Sequence, residues 1–336
     1  MSLSWLLLQL YDIMSRFIDI ERMPPKESQK LLLGNPYTYK IINKLFKTYT
    51  KSTQDLISFF KPFTPNILTY TFISRNDYLQ IRQLRKTTFF TIFLVEYKKI
   101  YTTLLLPELS NDESLLCFFN FLYLHTLLNN KNIISLVGLT IFQSNYVSVL
   151  TNKCLEMSLE QYLHDSNDIL SLNDKVSLCI KVLSLVQDLH NHHIIHRHLT
   201  PDEFYVYNGD IFLCLSAYSL QEGIGYADVN YINKLEYFQP QEYLNYNPPS
   251  IQGDIYTLGH LLHFILTGTT IINVKAVNID MMKSLQNNSF IITISESMPL
   301  SLNKAISKCI QSNPDTRPTL KELTSAFTQF LELSKS

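Results

Sequence analysis

The chain opens on the apolar run MSLSWLLLQLYDIM, where Trp5, Leu6, Leu8, Tyr11, Ile13 and Phe17 trace one face of an amphipathic helix. Helical-looking runs alternate with breaks up to about residue 70, at Pro24-Pro25, Gly34-Asn35-Pro36 and Pro62 to Pro65. The texture then turns to strand. TTFFTIFLVEY (87–97) and IYTTLLL (100–106) are rich in β-branched and aromatic residues. A helix is expected from Glu113 to Leu128, then strands in IISLVGLTIF (133–142) and YVSVLT (146–151). From about residue 155 the apolar period is 3.6. Leu172, Val176, Cys179, Ile180, Leu183, Val186 and Leu189 make one helix face that ends in a histidine-rich loop. A later helix starts at Thr319 with Glu322 three residues on, a capping box, and buries Leu320, Leu323, Phe327, Phe330 and Leu331. There are no internal repeats. The pattern predicts an α+β chain with a small sheet-rich lobe at 71–151, a larger helical lobe at 152–336 and a helical extension at 1–70.

Composition narrows the classes. Lys and Arg number 28 against 29 Asp and Glu, a net charge of −1, so nothing global draws the chain to nucleic acid or an anionic membrane. Hydrophobics at 46% mark a globular protein of 336 residues. Only 8 residues are glycine, and none lies between Gly34 and Gly138, so a glycine-rich phosphate loop is not expected in the strand-rich region. Cys117, Cys154, Cys179, Cys214 and Cys309 are scattered, as in a reduced compartment. The first residues lack a basic region and a cleavage site, and no run reaches the ~20 apolar residues of a membrane span. The expectation is a soluble, cytoplasmic protein.

The most specific segment is LHNHHIIHRHLTPDEFYV (189–206). Downstream come IFLCLSAYS (211–219), PQE (240–242), GDIYTLGHLLHFILTG (253–268) and CIQSNPDTRPTLKEL (309–323). In order and spacing these resemble the eukaryotic protein kinases: the catalytic loop, the DFG and APE segments, the SDIYSLG helix and the closing arginine motif. The resemblance covers about 70–336, strongly in the second lobe. It implies a bilobal protein kinase-like fold.

Phosphoryl transfer needs particular groups, and the resemblance locates them. The loop carboxylate position holds His198, the basic position two places on Thr200, and the metal-binding asparagine position Glu203. Leu215 stands at the DFG aspartate. Leu104 or Leu105 stands at the phosphate-binding lysine, and Phe121 at its glutamate partner. Thr103 and Tyr205 fall where small or aliphatic residues sandwich adenine. Architectural positions are kept. His196 and Arg197 remain in the loop, Asp254 is placed to cap its backbone, and Glu242 and Arg317 match an ion pair of the large lobe. The resemblance therefore implies a pseudokinase, not an enzyme, with no cofactor and no metal.

Within that superfamily, MSLEQYL (157–163), PQE (240–242) and MPPK (23–26) are similar to the mixed lineage kinase domain-like pseudokinases of necroptosis, in the tyrosine-kinase-like branch. That family carries a killing helical bundle joined by a brace, whereas only about 70 residues precede the small lobe here. A docking domain without an executioner resembles the truncated poxviral homologues. The implied function is a protein-binding module that sequesters an active receptor-interacting kinase, in the host cytoplasm if viral. Two alternatives stay open: an atypical nucleotide-binding kinase with weak phosphotransferase activity, using Asp202 and Glu203, or a scaffold in another pathway, with lipid association through residues 1–20 as a further possibility. The cluster His190, His192, His193, His196 and His198 raises a metal hypothesis that the loop geometry disfavours, since zinc needs convergent ligands. Tyr218, Tyr226 and Tyr231 are candidate phosphoacceptors, with packing or surface roles the simpler expectation; Cys214 is expected to be a buried filler.

Overall fold

A computed structural model describes residues 71–87, 89–108, 112–142, 146–166, 169–222, 240–244, 249–269, 271 and 298–335. The expected helical extension, Tyr226 and Tyr231 lie outside the described residues. The chain divides between Glu156 and Met157 into two compact units.

Among its described residues the first unit holds a six-stranded sheet and an α-helix. Its strands are β1 (Thr71–Phe72), β2 (Tyr78–Lys86), β3 (Phe90–Tyr97), β4 (Ile100–Pro107), β5 (Leu136–Phe142) and β6 (Tyr146–Thr151), with α1 (Asp112–Leu127) between β4 and β5. The strand order is β1-β5-β6-β4-β3-β2, and only the β1–β5 pair is parallel. Side chains alternate across a strand, so register decides which residues share a face. Phe93, Leu104 and Leu150 lie in one row and join Ile73, Tyr78 and Val95 in a core. The next row, Ile92, Leu105 and Val149, points to the other face, as does Phe90, whose ring lies 5.0 Å from that of Phe121 on α1.

Strand β2 was not legible in the hydrophobic pattern. It is an edge strand with two register shifts, and most of its residues, Leu79 and Ile81 included, are exposed. Bulges and charge, here Arg82 and Lys86, are common protection for an edge. At the β3–β4 turn Lys98 and Lys99 both take positive φ, 51° and 64°. For side chains with a Cβ that conformation costs roughly 1–2 kcal/mol each.

The second unit is mostly helical. It comprises α2 (Leu159–Ser166), α3 (Leu172–Asn191), α4 (Gln241–Leu244), α5 (Ile251–Thr267), α6 (Leu300–Cys309) and α7 (Leu320–Lys335). Short strands β7 (Ile194–Ile195), β8 (Phe204–Tyr207), β9 (Asp210–Leu213) and β10 (Leu220–Gln221) sit between α3 and α4. Helix α3 starts at a Ser171–Asp174 capping box and buries Val176, Cys179, Leu183, Val186 and Leu189. Leu172, at its first position, is exposed, because the apolar face begins one turn later. Helix α5 is buried over most of its length, and its buried polar residues are Asp254, Thr257, His260 and His263. It ends at Gly268 in the left-handed conformation, whose N–H closes on the Phe264 carbonyl. At α7 the Thr319 hydroxyl accepts from the Glu322 N–H, while the Glu322 carboxylate takes the Thr319 N–H. Among the described residues no helix is long and apolar enough to cross a membrane.

Candidate functional site

The second unit builds its polar centre on one carboxylate. Asp254, fully buried in the first turn of α5, accepts the backbone N–H of His196 through Oδ2 at 2.7 Å and that of Arg197 through Oδ1 at 2.8 Å. His190, at the end of α3, adds an Nε2 contact to Oδ2 at 3.0 Å. These bonds hold a strained segment, since Arg197 has φ 66°. The Arg197 guanidinium is buried and donates to the Tyr218 carbonyl at 3.2 Å. Tyr218 is itself buried.

His196 has its tautomer set by its neighbours. Its Nε2 donates to the Cys214 carbonyl at 3.0 Å, leaving Nδ1 to accept the His198 N–H at 3.3 Å. Burial lowers its pKa, against the pull of the Asp254 charge. His198 follows, pushed down to about 4 by burial and then by His196, so its ring is neutral near pH 7. Its Nε2 lies 3.9 Å from a Glu203 carboxylate oxygen. The Glu203 carbonyl accepts the Cys214 N–H at 2.9 Å, which brings the 201–203 turn beside β9. Leu215, next along, is buried. Thr200 precedes the turn without a side-chain cap, and Tyr205 is buried on β8.

The five clustered imidazoles do not converge. His190 meets Asp254, His192 the Asp188 carbonyl, His193 Glu222, His196 the Cys214 carbonyl and His198 Glu203. Among the described residues no group of three or more His, Cys, Asp or Glu is placed to hold a metal ion. At the two positions that the resemblance aligns with donors to a magnesium ion stand Leu215, which offers only alkyl carbon, and Glu203, a single carboxylate; this pair of side chains does not fit the ion.

A second anchor ties α4 to the segment before α7. Arg317 Nη1 and Nη2 donate to the two Glu242 carboxylate oxygens at 2.5 and 2.9 Å, both side chains being buried. The remaining guanidinium hydrogens go to the Gln311 carbonyl at 2.8 Å, the Gln252 carbonyl at 2.8 Å and the Ser312 carbonyl at 3.4 Å.

In the first unit the pleat separates Leu104 from Leu105. Leu105 projects on the face that carries Phe90 and Ile92, while Leu104 belongs to the opposite core. Phe121 is fully buried against Phe90 and His125. Three threonines then close the segment after β6 onto β4. Thr102 donates to the Thr151 carbonyl, Thr151 to the Lys153 carbonyl at 2.7 Å, and Thr103 accepts the Leu155 N–H at 2.8 Å. Phe90, Ser219, whose hydroxyl donates to the His196 carbonyl at 3.1 Å, and this threonine network were missed in the sequence. Only Thr102-Thr103 facing Thr151 across two strands could have signalled the network, and that needs the register.

Residues 103–327, more than half of the chain, match the family model described as protein tyrosine and serine/threonine kinase. A relative, sperm motility kinase 2B of Mus musculus, is 26% identical over 198 residues, which is 58% of this chain and 40% of the relative. The chain thus matches less than half the length of that relative. Together with the sheet unit and the helical unit, the match describes a domain with a β-sheet N-lobe and a helical C-lobe. It also corrects one expectation. The resemblance implies a chain that is not an enzyme, yet the matching model is a kinase model and the relative carries the name of a kinase, so the comparisons point to a protein kinase. Missing individual side chains are a weaker guide to class than the match of a whole domain.

Proposed function

The chain belongs to the protein kinase family, and from that premise we propose that it works by binding another protein, an active kinase of the receptor-interacting type, and so holds back necroptotic signalling. The observation that carries this reading is the retention of two buried anchors. Asp254 and the Glu242–Arg317 pair are hydrogen-bonded and buried, so the scaffold is maintained at these two points. A scaffold kept to this degree offers a large folded surface, and the similarity to mixed lineage kinase domain-like proteins, truncated poxviral ones included, supplies the partner class. The place of action is then the cytoplasm, that of the host if the chain is viral.

The test is expression of the tagged chain in necroptosis-competent cells. Recovery of a receptor-interacting kinase with the chain, together with reduced death on stimulation, is the expected result. Normal death with no kinase recovered overturns the reading.

A second reading, phosphotransfer from an atypical site, is favoured by the family itself and by the neutral His198 ring 3.9 Å from Glu203. Label transferred from nucleotide to a protein substrate, and lost in Glu203→Ala, is the result that favours it.

A further inference from the structure

Two hairpins of this chain turn through the same backbone with different residues. Between β8 and β9 the turn is Asn208-Gly209, at φ 50° and 77°. That is the residue pair such two-residue turns prefer, because Asn and Gly enter the left-handed region at little cost. Between β3 and β4 the turn is Lys98-Lys99, at φ 51° and 64°. Lysine gains nothing there from the backbone, so the side chains are what the position keeps.

What surrounds those lysines points outward. Leu79, Glu96 and Tyr101 lie in one row across β2, β3 and β4. Leu79 is 63% exposed and Tyr101 62%, while the neighbouring Ile100, 66% exposed, points to the opposite face. Clustered at one end of a sheet, large apolar residues at this exposure are unlike singly scattered ones. Lys98 lies over the Tyr97 ring at 5.0 Å, and neither it nor Lys99 forms an ion pair among the described residues.

We propose that the tip of the β3–β4 hairpin, with Leu79 beside it, is a docking surface for an extended protein segment carrying acidic residues next to apolar ones. The acids meet Lys98 and Lys99; the apolar side chains cover Leu79 and Tyr101. A lipid surface fits less well. Glu96 sits in the middle of the apolar row, and burying its carboxylate in hydrocarbon is costly, whereas a protein segment can donate a hydrogen bond to it. This inference rests on the protein-binding reading above and names the surface and its chemistry.

The experiment pans a random dodecapeptide display library against the full chain. The same panning is applied to K98N/K99G, which installs the relaxed turn, and to L79T/Y101T, which removes the apolar row. The wild type is expected to enrich acidic–apolar peptides. The leading peptide should bind both variants at least about tenfold more weakly, as for loss of central interface residues. K98N/K99G should also melt at a higher temperature than wild type, so lost binding cannot be put down to unfolding. The proposal is overturned if no peptide is enriched, if those enriched lack acidic residues, if the variants bind as well as wild type, or if phosphatidylserine vesicles displace the peptide. A receptor-interacting kinase domain that binds wild type and both variants alike overturns this surface and leaves the proposed function standing. Acidic–apolar peptides enriched by a chain that binds no such kinase do the reverse.

Discussion

Arg317 grips Glu242 with two parallel N–H···O bonds across 75 residues of sequence, and both side chains are buried. Breaking a buried pair strands the surviving charge, so each half depends on the other. Arg317→Met or Glu242→Leu alone should cost about 3 to 5 kcal/mol in chemical denaturation. The double substitution should cost clearly less than the sum of the two. An additive pair would mean that the bidentate contact carries no coupling.

Asp254 supports the loop backbone itself. In Asp254→Asn one amide face opposes a backbone N–H, and about 3 kcal/mol of stability should be lost. Hydrogen exchange at the His196 and Arg197 amides should accelerate more than at the α3 core. Uniform acceleration would show global destabilisation without a local role.

Acid should weaken the fold well above the carboxylate range. Burial first holds His125 and His198 near 4 and His260 near 3, and it also lowers His196 and His263. A histidine with a lowered folded pKa takes up its proton on unfolding. Its contribution is complete above the unfolded pKa near 6.5 and is lost as pH falls towards the folded value. Unfolding free energy should therefore fall steadily from pH 6.5 to about 4, and His260→Leu should flatten that slope. A pH-independent plateau down to 4.5 would contradict the burial of neutral imidazoles.

Leu105 tests the first unit. It is buried in a row with Ile92 and Val149, so Leu105→Lys places an unpaired cation in an apolar layer. The cost should be about 3 kcal/mol or more, read as a lower denaturant midpoint. A midpoint equal to wild type would mean that the site is hydrated.

Much of this was readable beforehand because its signals are local. The capping box at Thr319, the α3 face from Val176 to Leu189 and strands β3, β4 and β6 follow from periodicity and short-range chemistry. Strand β2 was not readable, since an edge strand with exposed Leu79 and Ile81 shows no alternation into a core. Leu104 and Leu105 could not be told apart until register assigned each to a face. The histidine cluster looked like one object, but its five rings are turned to five different partners by α3, the loop and the 201–203 turn. Family class came from the whole domain, while the residues at individual positions, taken alone, led to the wrong expectation about enzyme class.

The most direct measurement is isothermal titration of the purified chain with a purified receptor-interacting kinase domain, with and without excess Mg·ATP. The account predicts a saturable complex of fixed stoichiometry whose affinity for this chain does not depend on nucleotide. No heat of binding, with both proteins folded, would contradict it.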